Sequence, residues 1–208
     1  MKNGFFLVIG AGLALALAFA AIVLGSVHQL NALRPYYDDS EGQSYPAGQT
    51  GLANEGAHVY AGLDCAACHT QAVRRPGFGA DSERGWGERQ SVARDYIFRP
   101  VVRLGESRIG PDLANFGGRQ PSPPTEEDLY TMLYEGQGGM PAFPFLFDDR
   151  EVTGQRSYLA LPVPARAGHE IVPTRRARAL VAYLLSLNSP YVFPEAKPAA
   201  PPAGEGGK

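Results

Sequence analysis

Residues 65–69 read Cys65-Ala66-Ala67-Cys68-His69, and the chain has no other cysteine. C-x-x-C-H is the attachment signature of a c-type haem. The chemistry needs that spacing: two thiols one helical turn apart can add across the two vinyl groups of a haem. The adjacent histidine then reaches the iron from the same side of the ring. A disulfide or a thioredoxin-like C-x-x-C would use the same two thiols, with the histidine following by accident. A zinc site needs two further ligands, and neither His58 nor His169 has ligand spacing from the pair.

Iron held by His69 wants a sixth ligand. Of the three methionines, Met1 lies before the apolar N-terminal run, and Met132 sits between Leu129 and Leu133 on an expected helix, where it reads as core. Met140 lies in Gly138-Gly139-Met140-Pro141-Ala142-Phe143, 71 residues after His69. A loop methionine followed by proline is held in extended backbone and can aim its thioether at a haem face. His169 and an open, water-bound position are the alternatives. His/Met ligation raises the potential and closes the iron to small ligands, which points to electron transfer rather than chemistry at this haem.

Around the motif the periodicity is sparse. A short helix is expected from Asn54 or Glu55 to Cys65, with Val59, Tyr60 and Leu63 on one face. Thr125 followed by Glu126, Glu127 and Asp128 is a helix start with a capping hydroxyl and acids in the first turn. Thr174 opens the clearest amphipathic stretch, with Leu180, Val181, Leu184, Leu185 and Leu187 at helical spacing. Residues 70–124 and 137–173 read as loop. A few short helices joined by long loops make a poor self-supporting core, unless something bulky and apolar fills the middle.

At the N-terminus, Gly4 to Val27 is a run of 24 residues without a charge. As a helix it reaches ~36 Å, enough for a hydrocarbon core of ~30 Å. A cleaved signal peptide has a shorter apolar region behind a basic one, whereas here only Lys2 precedes the run. The expectation is a single-pass anchor in a bacterial inner membrane, with the N-terminus cytoplasmic and the haem domain periplasmic. Residues 1–30 then form the anchor and 31–54 a Pro- and Gly-containing linker. Residues 55–193 form the haem domain, with 148–173 as an insertion, and 194–208 a disordered tail. Small residues four apart (Gly10, Ala14, Ala18) fit packing against a partner helix as well as chance.

Composition excludes other classes. The chain has 208 residues, 44% of them hydrophobic and 19% charged, which supports a packed core. Nineteen basic residues against 21 acidic ones give a net charge of −2, which argues against a nucleic-acid partner. No nucleophile–base set or phosphate loop is present, so no catalytic residue is assigned. Arg74, Arg75, Arg108 and Arg119 flank the motif, and arginine suits the recognition of buried carboxylates. Arg108 and Arg119 are the candidates for the haem propionates.

The order helix, C-x-x-C-H, Gly110-Pro111-Asp112-Leu113, methionine loop, C-terminal helix resembles class I cytochromes c. That resemblance implies a mainly α fold, with one covalent haem c, a carbonyl of Pro111 orienting His69, and Leu113 walling the haem. It also implies crossed first and last helices, with Gly56 and Tyr60 meeting Tyr183 and Leu184. The stretch Cys68-His69-Thr70-Gln71-Ala72-Val73-Arg74 is more specific. With Ser91-Val92-Ala93, Arg108 to Leu113, Gly117-Gly118-Arg119 and Met140 to Pro144, it resembles the mono-haem subunit II of cbb-type haem–copper cytochrome c oxidases. The usual His-Leu-Tyr-Asn-Pro segment between Arg119 and Met140 is replaced by Asp128-Leu129-Tyr130. The resemblance implies an electron-transfer subunit that is not catalytic alone. It would take electrons from a di-haem cytochrome c subunit or a soluble cytochrome c. It would pass them to an integral-membrane subunit with haem b and copper that reduces oxygen to water. The haem c subunit of nitric oxide reductase and a free-standing anchored carrier share the same plan.

Overall fold

One long apolar helix precedes a series of short elements, two of which, Glu126–Glu135 and Arg175–Ser186, begin at capping threonines. The structure of the chain, a computed structural model, describes residues 2–49 and 51–196 and divides into two units, Met1–Pro46 and Ala47–Lys208.

In the first unit, α1 (Lys2–Phe19) passes through a π-helical turn (Ala20–Leu24) into α2 (Gly25–Asn31). The turn closes where Gly25 N–H donates back to the Ala20 carbonyl. Ser26 Oγ donates to the Ile22 carbonyl at 2.5 Å, a side-chain bond that competes with the regular ladder. Gly4–Asn31, 28 residues, is long and apolar enough to cross a membrane, and its apolar window buries nothing inside the structure. Within the stretch expected as linker, β1 (Tyr36–Asp38) pairs antiparallel with β2 (Gln43–Tyr45). The Asp38 carboxylate closes that hairpin by accepting from Ser40 N at 2.8 Å and Ser40 Oγ at 2.5 Å, and Gly42 supplies the positive φ of the turn.

Among the described residues of the second unit, the regular elements are mainly helical, with one antiparallel strand pair. The α-helices are α3 (Gly51–Gly62), α4 (Glu126–Glu135) and α5 (Arg175–Ser186). α3 begins at Gly51, earlier than the expected Asn54 or Glu55. Both expected caps are present. Thr125 Oγ1 accepts from Asp128 N, and the Asp128 carboxylate accepts from Thr125 N. Thr174 Oγ1 accepts from Ala177 N. α3 crosses α5 at Gly56, where an added Cβ would lie 2.5 Å from the Ala179 carbonyl carbon and 2.7 Å from Tyr183 Cβ. Only glycine permits that approach. Next to it Tyr60 and Tyr183 meet ring to ring at 5.3 Å.

Residues 148–173 depart from the expected loop. β3 (Phe147–Glu151) pairs antiparallel with β4 (His169–Pro173). β3 hides in the sequence because Asp148-Asp149-Arg150-Glu151 are all exposed and show no apolar alternation, while β4 is buried along most of its length. Leu161 and Val163, between the strands, join Leu146, Ile171, Leu129, Leu133 and Leu180 in one core. Each such buried side chain contributes about 1.5–3 kcal/mol. The expected disordered tail begins at Pro194, yet Phe193 and Ala196 are buried and bridge one another. The remainder of that tail, 197–208, lies outside the described residues.

Candidate functional site

α3 ends at Gly62, and the chain turns through Asp64 in the left-handed region (φ +55°) into a 3₁₀ turn, Cys65–Ala67. His69 N donates to the Cys65 carbonyl at 3.0 Å, which keeps the second thiol and the histidine on one compact loop. Both cysteines are free thiols, partly buried. Burial, opposed by a backbone hydrogen bond, pushes the Cys65 thiol up to about 11, so it stays protonated at neutral pH.

The 104–113 segment straps this loop from one side. Gln71 N donates to the Leu104 carbonyl, Glu106 N to Ala66, Gly110 N to Cys68 and Leu113 N to Thr70, all between 2.7 and 3.1 Å. Ser107 Oγ donates to the Ala67 carbonyl. In the middle of this ladder His69 Nδ1 stands 2.9 Å from the Pro111 carbonyl. That carbonyl only accepts, so Nδ1 carries the proton and Nε2 keeps its lone pair for a ligand bond. Gly110 lies against the imidazole, and a Cβ there would be 2.6 Å from His69 Nδ1. Gly105 (φ +90°) allows the same closeness against Thr70, where a Cβ would be 2.6 Å from its Cα.

Two further anchors hold the loop to the helices. Gln71 is buried, and its Oε1 accepts from Tyr183 Oη at 3.0 Å and Arg99 Nη1 at 2.8 Å. Leu113 lies in the core, and Cys65, Ala66 and Met140 pack against that same core. Burial pushes the Tyr60 and Tyr183 phenols above their ordinary range, so both stay neutral.

Met140 lies on a separate turn. Its turn follows α4, with Gly136, Gly138 and Gly139 all at positive φ. Gly136 N donates to the Met132 carbonyl and Phe143 N to the Leu133 carbonyl, which fixes the turn to α4, while Met140 N donates to the Gln137 carbonyl within the turn. The residue is half-buried on the shared core rather than bonded to the Cys65–His69 loop. His169 is elsewhere, on β4, with Nδ1 2.7 Å from Asp149 Oδ1.

The arginines divide. Arg75 lies over the Phe78 ring at 3.8 Å. Arg74 and Arg108 both bind the fully buried Asp81, and Arg108 also donates to the Ala72 carbonyl at 2.6 Å. Arg108, expected at a propionate, is thus committed to a protein carboxylate. Arg119 donates to the Asp112 carbonyl, while its Nε is buried without a partner. Burial lowers its pKa, against the attraction of Asp112. Asp81 escaped the sequence reading: it lies in the irregular stretch Ala80-Asp81-Ser82-Glu83-Arg84, where nothing marks one acid as buried.

A haem fits these residues. Two free thiols on one loop and an imidazole with Nδ1 bonded to the Pro111 carbonyl and Nε2 left for a ligand bond are the donor set that such a group needs. The fold and loop define a mostly helical domain built on a c-type haem motif, following a helix fit to span a membrane. The chain belongs to the family described as cytochrome c oxidase, mono-heme subunit/FixO, whose model matches residues 8–165. It is therefore a mono-haem subunit of a cytochrome c oxidase. No curated protein matches it.

Proposed function

We propose that this chain carries one haem c, bound through thioethers to Cys65 and Cys68, and relays electrons inside a terminal oxidase. The group supplies a one-electron couple when bound. His69 serves as the proximal ligand through Nε2, with its ring orientation set by the Pro111 carbonyl. Met140 serves as the distal ligand and Leu113 walls the site. Arg119 offers its unpartnered Nε to a propionate, whereas Arg108 braces the proximal loop instead. The donor is a di-haem cytochrome c subunit or soluble cytochrome c. The acceptor is the integral-membrane haem b and copper subunit that reduces oxygen to water. The N-terminus faces the cytoplasm and the haem domain the periplasm of a bacterial inner membrane. The observation that carries this reading is the His69–Pro111 bond beside two free thiols on one loop.

The test is affinity purification of the tagged chain from its native membranes in mild detergent, with a reduced-minus-oxidised spectrum. Bands of haem c and haem b, with oxygen uptake driven by reduced cytochrome c, are expected. Haem b with nitric oxide consumption and no oxygen uptake would reassign the acceptor. Haem c alone, with no large partner, would overturn the complex.

A further inference from the structure

One group of charged side chains plays no part in holding the haem proposed above, yet it bonds the residues that follow His69 and includes the residue after Pro111. Asp81 and Asp112 are both fully buried. Asp112 follows Pro111, and its Oδ2 accepts from Thr70 Oγ1 at 2.6 Å and from Ala72 N at 2.8 Å. Its Oδ1 accepts from Ala114 N at 2.8 Å. Thr70 follows His69. The Thr70–Asp112 bond is therefore the rung next to the His69–Pro111 bond, joining the same two strands of chain.

Arg108 closes the group. Nη1 lies 3.0 and 2.9 Å from the two Asp81 oxygens, Nη2 donates to the Ala72 carbonyl, and Nη2 stands 3.6 Å from Asp112 Oδ2. Arg74 completes the Asp81 shell through its backbone N at 2.8 Å and Nη2 at 2.8 Å. Two cations and two carboxylates make a neutral cluster. Arg108 and Asp112 stand on either side of Pro111 in the chain, and on the facing segment the cluster bonds Thr70, Ala72 and Arg74, directly after His69. Fork geometry matters here, because Arg108 bridges Asp81 and a backbone carbonyl at once, which a lysine ammonium on one point cannot reproduce. Removing one member leaves a buried charge without its partner.

We propose that Asp81, Arg108 and Arg74 are positioning residues for His69: the cluster clamps the Pro111 carbonyl onto Nδ1 and so sets the donor strength of the proximal ligand and the potential of the haem. This inference rests on the haem reading above. A hydrogen bond from Nδ1 raises the basicity of the ligating nitrogen. A stronger donor favours the oxidised form, so a loosened clamp raises the potential.

The experiment uses the full-length chain, matured with its haem in membranes. It measures the midpoint potential by redox titration and the solvent exchange of the His69 ring N–H by NMR in detergent. Arg108→Lys keeps the charge and loses the fork. It is expected to speed that exchange at least tenfold and to raise the potential by up to the equivalent of a tenfold shift in the redox equilibrium, about 59 mV for one electron. Asp81→Asn removes a negative charge and loosens the clamp, so both effects raise the potential further. Arg94→Lys, at the Glu195 pair on the surface, is the control and is expected to match the unmodified chain. An Arg108→Lys protein whose exchange and potential both equal the unmodified values would overturn the clamp. A shift that follows net charge alone, with exchange unchanged, would overturn it too. If the unmodified chain carries no covalent haem, the haem reading itself fails, which is a different result.

Discussion

The two walls of the proposed haem site are built differently. The proximal wall, Cys65–Ala72 against Leu104–Ala114, is a ladder of backbone bonds braced by two fully buried carboxylates. The distal wall around Met140 is one turn with three positive-φ glycines, hung from the end of α4 by two backbone bonds. One wall is over-determined, so a small change breaks several bonds together. The other rests on a few local contacts, so its ligand can be lost while the loop survives. The proximal wall also joins the helix crossing through Gln71 and Tyr183, whereas Met140 reaches the core only by packing.

The largest test of that contrast replaces both thiols. Cys65→Ser with Cys68→Ser is expected to abolish covalent haem, read as loss of haem-stained protein in denaturing gels. Gly110→Val should come next. Its side chain would occupy the space of the His69 imidazole, and haem-bearing chain should fall at least tenfold at equal expression. Met140→Leu is the matching change on the distal wall. It is expected to leave covalent haem in place, lower the potential, and remove the methionine-to-iron charge-transfer band at the red end of the visible spectrum. Equal damage from Gly110→Val and Met140→Leu would erase the contrast.

Acid sharpens it further. Burial alone would raise the Asp81 carboxyl, but hydrogen bonds from Arg74 and the charges of Arg108 and Arg74 hold it below its ordinary range. A carboxylate with a lowered folded-state pKa contributes stability above its unfolded value of about 3.9 and loses it as pH falls further. The melting temperature should therefore drop more steeply below about pH 4 in the unmodified chain than in Asp81→Asn. Parallel curves would mean that the cluster contributes nothing. The smallest effect is expected at Thr125→Ala, which removes the α4 cap and should cost about 1 kcal/mol in denaturant unfolding with covalent haem unchanged.

Much of this was legible in the sequence because it is local. The haem motif is five consecutive residues, Thr125 and Thr174 announce their helices within one turn, and the apolar run from Gly4 is continuous. The resemblance through Gly110 to Leu113 also led to Pro111, whose carbonyl the structure sets against His69. What stayed hidden depends on distant partners. Asp81 is chosen from several nearby acids only because Arg108, 27 residues on, folds back over it. β3 is four charged residues after one phenylalanine, and it is a strand because β4 buries its own side chains beside it. Arg108 looked like a carboxylate binder and is one, but its carboxylate belongs to the protein.

The most direct measurement is mass spectrometry of the peptide spanning Cys65 to His69, from chain purified out of its native membranes with the oxidase. The account predicts a single haem added to that peptide through both cysteines. Two unmodified thiols, or a disulfide between them, in chain taken from active oxidase would contradict it.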